Sequence, residues 1–129
     1  MLTPGVQLRL GASFTNHIGG TFKPCGQTAI TYFRIATSSC AACRFYNYGN
    51  LVVDVPSAYS FITSASFDHY GSIQLLNNAK FEMETGSNFI QYYGTTQLGL
   101  GSSLRTNIFD MRGGSLLGYG KIHFQIFKK

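Results

Sequence analysis

Acidic residues are scarce in this chain: Asp54, Asp68, Asp110, Glu82 and Glu84 are all it has in 129 positions, and it contains no tryptophan. Charged residues amount to 12%, about half the usual 25%. Soluble helices need Glu, Lys, Arg and Ala to propagate and stay hydrated. With two Glu, five Lys and five Arg, a helical bundle is excluded. The net charge of +5 arises from few acids rather than from clustered bases, and only Lys128 and Lys129 adjoin. A nucleic-acid reader would concentrate its bases on one face, so nucleic acid is not an expected partner. No apolar run approaches the length of about 18 residues that a transmembrane helix needs. Met1-Leu2-Thr3-Pro4-Gly5 lacks the charged and apolar regions of a signal peptide. There is no Asn-x-Ser/Thr acceptor for N-glycosylation.

What is abundant is glycine, at 15 residues, with 11 Phe and 8 Tyr. Together with Ser, Thr and Asn these point to many short strands joined by turns. Self-similarity then organises the chain. Lines can be begun at Gly5, Gly26, Gly49, Gly71, Gly94 and Gly114, with spacings of 21, 23, 22, 23 and 20 by subtraction. Phe22, Phe45, Phe67 and Phe89 precede four of these glycines at a nearly fixed offset, and Tyr48, Tyr70 and Tyr93 stand directly before three. Alternating apolar positions follow: Leu51, Val53 and Val55; Ile73 and Leu75; Leu98 and Leu100. Ten residues past the glycine stand Tyr59, Phe81, Leu104 and Phe124, a second alternating segment. Asn77-Asn78-Ala79 and Gly101-Ser102-Ser103 supply turn chemistry between the two.

A period near 22 residues with at least two strands per line predicts an all-β fold, a single-stranded parallel β-helix, or β-solenoid, forming one domain over 1–129. A sandwich or closed barrel predicts no identity of columns at that period. Six coils stacked at about 4.8 Å would be roughly 29 Å long. Like residues would then lie over like, with Phe22, Phe45, Phe67 and Phe89 as one structural ladder and Tyr48, Tyr70 and Tyr93 as another. On this register Phe67→Asp should unfold the protein and Glu84→Lys should be nearly silent.

The segments Phe45-Tyr-Asn-Tyr-Gly49-Asn-Leu-Val-Val53, Phe67-Asp-His-Tyr-Gly71-Ser-Ile-Gln-Leu75 and Gly113-Gly-Ser-Leu-Leu-Gly118-Tyr-Gly-Lys-Ile122 resemble coils of surface-exposed right-handed parallel β-helices. Autotransporter passengers, filamentous haemagglutinin-type adhesins and protist surface β-helices are of this kind. The likeness spans roughly residues 45–124. It implies a right-handed coil, an extracellular or cell-surface setting and a role as adhesin, stalk or filament, and it carries no catalytic motif.

Chemistry-bearing residues are few. Cys40-Ala-Ala-Cys43 with Cys25 suggests a disulfide within one coil. A zinc site would need His17 or His69 as fourth ligand, and the second half of a zinc motif is missing. No metal or cofactor is expected. Asp68 and Asp110 fall two coils apart, about 10 Å, slightly beyond the span of an inverting glycosidase pair. No Ser/His/Asp spacing occurs, and the chain is expected not to be an enzyme. Tyr46, Tyr92 and Tyr119 form a candidate contact strip for sugar or protein. The functional expectation is a structural module of an extracellular assembly, stacking end to end with itself or with neighbouring β-helical chains. The alternative is a carbohydrate-binding or carbohydrate-cleaving β-helix, with a polysaccharide as partner.

Overall fold

The computed structural model describes residues 5–8, 12–23, 33–37, 43–54, 61–63, 65–83 and 87–129, with backbone only for 5–8, 33–37 and 61–63. The strands come in triplets. β1 (Gly5–Leu8), β2 (Ser13–Asn16) and β3 (Thr21–Phe22) are followed by β4 (Phe33–Thr37), β5 (Arg44–Asn47) and β6 (Asn50–Val53). Next come β7 (Phe61–Thr63), β8 (Ser66–His69) and β9 (Ser72–Leu75), then β10 (Lys80–Met83), β11 (Asn88–Gln91) and β12 (Thr95–Leu98). β13 (Ser103–Arg105), β14 (Ile108–Met111) and β15 (Ser115–Gly118) precede a final pair, β16 (Lys121–His123) and β17 (Ile126–Lys128).

Every pairing is parallel, and each strand joins the equivalent strand one triplet away. Three sheets result: β1-β4-β7-β10-β13-β16, β2-β5-β8-β11-β14-β17 and β3-β6-β9-β12-β15. We call them A, B and C. The fold is thus the expected all-β parallel β-solenoid, with no helix among the described residues.

The number of regular coils needs correcting. A repeat of roughly 22 residues holds for about three turns, not six: it runs through Gly49, Gly71, Gly94 and Gly114 at intervals of 22, 23 and 20 by subtraction. In the first triplet the glycine of this column is Gly20, because Asn50 N–H donates to the Gly20 carbonyl just as Ser72 N–H donates to that of Gly49. Gly5 instead opens β1 in sheet A, and Gly26 lies outside the described residues. Gly20 and Gly49 are 29 positions apart, so the early part of the chain does not keep the later period.

The core is built from inward columns. In sheet B, Phe14, Phe45, Phe67, Phe89, Phe109 and Phe127 are in register. Phe67, Phe89, Phe109 and Phe127 stack nearly parallel, with centroids 5.3, 5.2 and 5.8 Å apart. Phe81 of sheet A meets the Phe67 ring edge-on at 5.3 Å. Sheet C contributes Leu51 and Ile73 in one column and Val53, Leu75 and Leu98 in the next, all buried. Phe22 does not belong to the Phe ladder as expected. It sits on β3 in register with Leu51 and reaches Phe14 across the interior at 5.0 Å, while Phe14 begins the ladder. Likewise Phe81 is in register with Phe61, and Leu104 with Ile122, rather than with Tyr59 and Phe124 as the spacing predicts. Tyr59 itself lies outside the described residues.

Turns follow local chemistry. Asn77 and Asn78 both have positive φ, 54° and 59°, and Ala79 N–H closes onto the Leu76 carbonyl at 3.0 Å. Two successive left-handed residues make a type I′ turn, which asparagine tolerates better than other side chains do.

Candidate functional site

At the corner between sheets B and C the chain places a buried polar residue two positions after each of Phe14, Phe45, Phe67 and Phe89: Asn16, Asn47, His69 and Gln91. All four are buried, so their polar atoms need partners. Asn16 Nδ2 donates to Asn47 Oδ1 at 2.9 Å, and Asn47 Nδ2 lies 3.2 Å from His69 Nδ1. His69 Nε2 is 3.0 Å from the Thr95 carbonyl. An amide donor on Nδ1 and a carbonyl on Nε2 select the neutral tautomer protonated at Nε2. Burial lowers the His69 pKa to about 4, and the hydrogen bond to Thr95 only partly opposes it. Gln91 closes the run, donating to the Gly113 and Ser115 carbonyls and accepting from Thr96 Oγ1. In the sequence the pattern Phe-x-Asn-x-Gly occurs only at Phe45–Gly49, so residue identity gives this column little signal.

Outside the same corner the tyrosines stack. Tyr48 and Tyr70 lie 4.7 Å apart at 13°, and Tyr70 and Tyr92 lie 4.7 Å apart at 4°. The Arg112 guanidinium caps Tyr92 at 5.1 Å and is held there by Asp110 at 3.0 Å. Desolvation within the stack, with Asp68 nearby, pushes the Tyr70 hydroxyl pKa up. Tyr93, expected in this ladder, is displaced by Tyr92: Tyr92 N–H donates to the His69 carbonyl as Tyr70 N–H donates to that of Asn47. Tyr93 is 67% exposed and tilted against Tyr70.

Of the expected strip of Tyr46, Tyr92 and Tyr119, the first two lie on this one aromatic stack, since Tyr46 packs against Tyr48 with centroids 6.4 Å apart at 19°, whereas Tyr119 follows β15 at the next corner. A ring covered on both faces, such as Tyr70, offers a ligand only its edge and hydroxyl. Asp68 and Asp110 are each engaged by an arginine. Both oxygens of buried Asp68 accept from Arg44, at 2.8 and 2.6 Å. Cys43 is buried and disulfide-bonded, and Cys25 and Cys40 lie outside the described residues, as does Glu84. Among the described residues, no three His, Cys, Asp or Glu side chains come together to hold a metal.

Two open features remain. A groove of about 700 Å³ runs along the A–B corner, lined by Glu82, Arg105, His123, Asn107, Phe124 and Gln125 among others. Glu82, Arg105 and His123 stand in register on β10, β13 and β16. The second is the last rung. Phe109 is fully buried, yet Phe127, next in its column, is 46% exposed. Leu116, Leu117, Phe124 and Ile126 are similarly exposed. A hollow of about 320 Å³ opens there among Leu98, Phe109, Leu116, Gly118, Ile122 and Phe127.

No protein-family model matches the chain, and no curated protein and no solved structure shows significant similarity to it.

Proposed function

We propose that the chain is a non-enzymatic structural module of an extracellular or cell-surface assembly, in which its terminal rung is covered by a further β-helical coil. The observation that supports this reading is the apolar face of β15, β16 and β17, where Leu116, Leu117, Phe124, Ile126 and Phe127 stand exposed together. Apolar side chains clustered on one end of a protein mark an interaction surface, and the free edges of terminal strands are ready to pair. Coils continuing in parallel register would extend the Phe127 ladder and cover Leu116 and Phe127, whose columns point inward. The resemblance to surface adhesins and filaments agrees with such a role. Light scattering and negative-stain imaging over a range of protein concentrations test it. Rods or filaments that Phe127→Lys disperses are expected; a monodisperse monomer at all concentrations refutes the reading.

The groove of Glu82, Arg105 and His123 favours a second reading, carbohydrate binding. It joins charged and amide groups with the exposed ring of Phe124, a combination suited to a polyhydroxylated ligand. A glycan-array screen separates the two, with Arg105→Ala as the control that removes a groove donor.

A further inference from the structure

Five of the eight tyrosines gather outside the corner between sheets B and C: Tyr46, Tyr48, Tyr70, Tyr92 and Tyr93. Three of them leave equivalent positions of successive coils. The N–H groups of Tyr48, Tyr70 and Tyr92 donate to the carbonyls of Asn16, Asn47 and His69, one coil back in each case, so the rings project alike and stack. Parallel rings of like orientation hold like carbons at the centroid spacing, here 4.7 Å for Tyr48 on Tyr70 and 4.7 Å for Tyr70 on Tyr92. The two ends of the stack differ. The Arg112 guanidinium covers Tyr92 at 5.1 Å and sets a positive charge beside that ring, which opposes loss of an electron from it. At the other end Tyr48 is 37% exposed, and Tyr93, 67% exposed, leans on Tyr70 at 6.1 Å. A reagent in solution reaches Tyr48 and Tyr93, and both adjoin Tyr70.

We propose that Tyr48 and Tyr70 are the site of an oxidative cross-link, a dityrosine that ties two adjacent coils together, made by a haem peroxidase acting with hydrogen peroxide. Each phenol loses one electron and its hydroxyl proton to the oxidised haem. The resulting phenoxyl radicals carry spin on the ring carbons ortho to oxygen, and one such carbon of Tyr48 bonds to one of Tyr70. Each bonded carbon then releases its hydrogen as a proton while each oxygen regains a proton through water, which restores both phenols. In sum two hydrogen atoms leave the rings and one peroxide becomes two waters. A radical formed first on Tyr93 passes to Tyr70 when Tyr70 gives it an electron and a proton. Rings already held side by side react as one molecule, so coupling within the stack outruns coupling between chains in dilute protein. The rings tilt about their side-chain torsions to meet, while the pairing of Asn47 with His69 holds the backbone beneath them. The site follows β5 and β8 in the middle coils, away from the terminal rung.

Treatment of the dilute, folded protein with a haem peroxidase and hydrogen peroxide is the test, read by dityrosine fluorescence and by peptide mass. Digestion after Lys and Arg and before Asp releases residues 45–53, with Tyr46 and Tyr48, and 68–80, with Tyr70 as its one tyrosine. Expected is a fluorescent product that stays monomeric, in which these two peptides are joined and lighter than their sum by two hydrogen atoms. Tyr48→Phe and Tyr70→Phe, which keep the stacked ring, should each lose the joined species. Tyr46→Phe should retain it, and so should Tyr119→Phe, although Tyr119 is 85% exposed. The cross-linked monomer should also unfold at higher urea, because the bond closes a loop of 22 residues by subtraction and restricts the unfolded chain. Dityrosine found only in dimers, or none under conditions that couple free tyrosine, overturns the proposal. A joined product that survives Tyr48→Phe does the same, as does joining of 68–80 to 81–105, which carries Tyr92 and Tyr93. An unchanged urea midpoint overturns the tying of the coils.

Discussion

Asn47 presents its side-chain amide to Nδ1 of His69 at 3.2 Å while its own Oδ1 accepts from Asn16. The polar column is therefore directional: each member donates toward the higher-numbered coil, ending at the Thr95 carbonyl. A protonated His69 has no lone pair for Asn47 and sets two donors against each other. Burial adds to this, and the folded-state pKa falls to about 4 from 6.5. Unfolded chains take up the proton first as pH drops. Stability is accordingly complete above pH 6.5, is lost progressively as pH falls toward 4, and levels off below that. A shift of this size corresponds to about 3 kcal/mol. Urea titrations at a series of pH values check it. His69→Gln, which can accept from Asn47 and donate to Thr95 through one amide, should remove most of this slope; a slope that persists in the variant refutes the assignment.

Phe67 lies at the centre of the ring ladder, with Phe45 tilted against one face at 4.5 Å, Phe89 stacked on the other and Phe81 meeting it edge-on. Nothing nearby is free to collapse into the space it fills, because both axial neighbours are fixed by sheet register. Phe67→Ala should cost about 3–5 kcal/mol. Gln74, exposed on the outer face of sheet C, should tolerate Ala within about 0.5 kcal/mol. Chemical denaturation that ranks the two alike would refute the inward assignment of the Phe column.

Much of this architecture was legible because a solenoid writes its register into the sequence at the coil period. The columns of Phe45, Phe67 and Phe89 and of Gly49, Gly71 and Gly94 fall at nearly equal offsets, and they stack. Legibility failed where the spacing changed by a residue. Phe22 precedes Gly26 as Phe45 precedes Gly49, which places it in the ladder by spacing, yet hydrogen bonding aligns Gly20, and strand pairing Phe14, with the later coils. Tyr93 adjoins Gly94 and so matches the column by spacing, but the extra residue in that coil is accommodated at the corner, after the stacked ring of Tyr92. The polar column escaped notice for a different reason. Asn16, Asn47, His69 and Gln91 do not keep one residue type along the column, only the capacity to donate along one axis.

The Arg44–Asp68 pair joins β5 to β8 across one rung by two hydrogen bonds. Asp68 is nearly buried, and its Arg44 partner is about one-third exposed. Those bonds raise the pKa of the guanidinium further. Removing Arg44 leaves a buried carboxylate without its main donor, whereas replacing both partners removes the problem. Arg44→Ala should thus cost about 2 kcal/mol, Arg44→Lys nearly as much because a single ammonium cannot bond both oxygens in the fork geometry, and the double replacement with Asp68→Ala less than the sum. Additive costs in that cycle would show that the two side chains act independently.

Gly71 and Gly19 separate two reasons for a glycine. A Cβ on Gly71 would overlap the Gly49 carbonyl oxygen, the acceptor of the Ser72 N–H bond that sets the spacing between coils. Any side chain there must push adjacent rungs apart at the corner where the Tyr stack and the polar column meet. Gly19 has open space around it but a φ of +82°, so its requirement is conformational. Gly71→Ala should cost about 3 kcal/mol, at the upper end of overpacking, and Gly19→Ala about 1 kcal/mol, the penalty of a left-handed L-residue. Thermal or urea unfolding of the two variants measures the order. If Gly19→Ala were the more damaging, close approach between coils would not be what fixes the glycine column, and the corner would have to be held by its turn geometry instead.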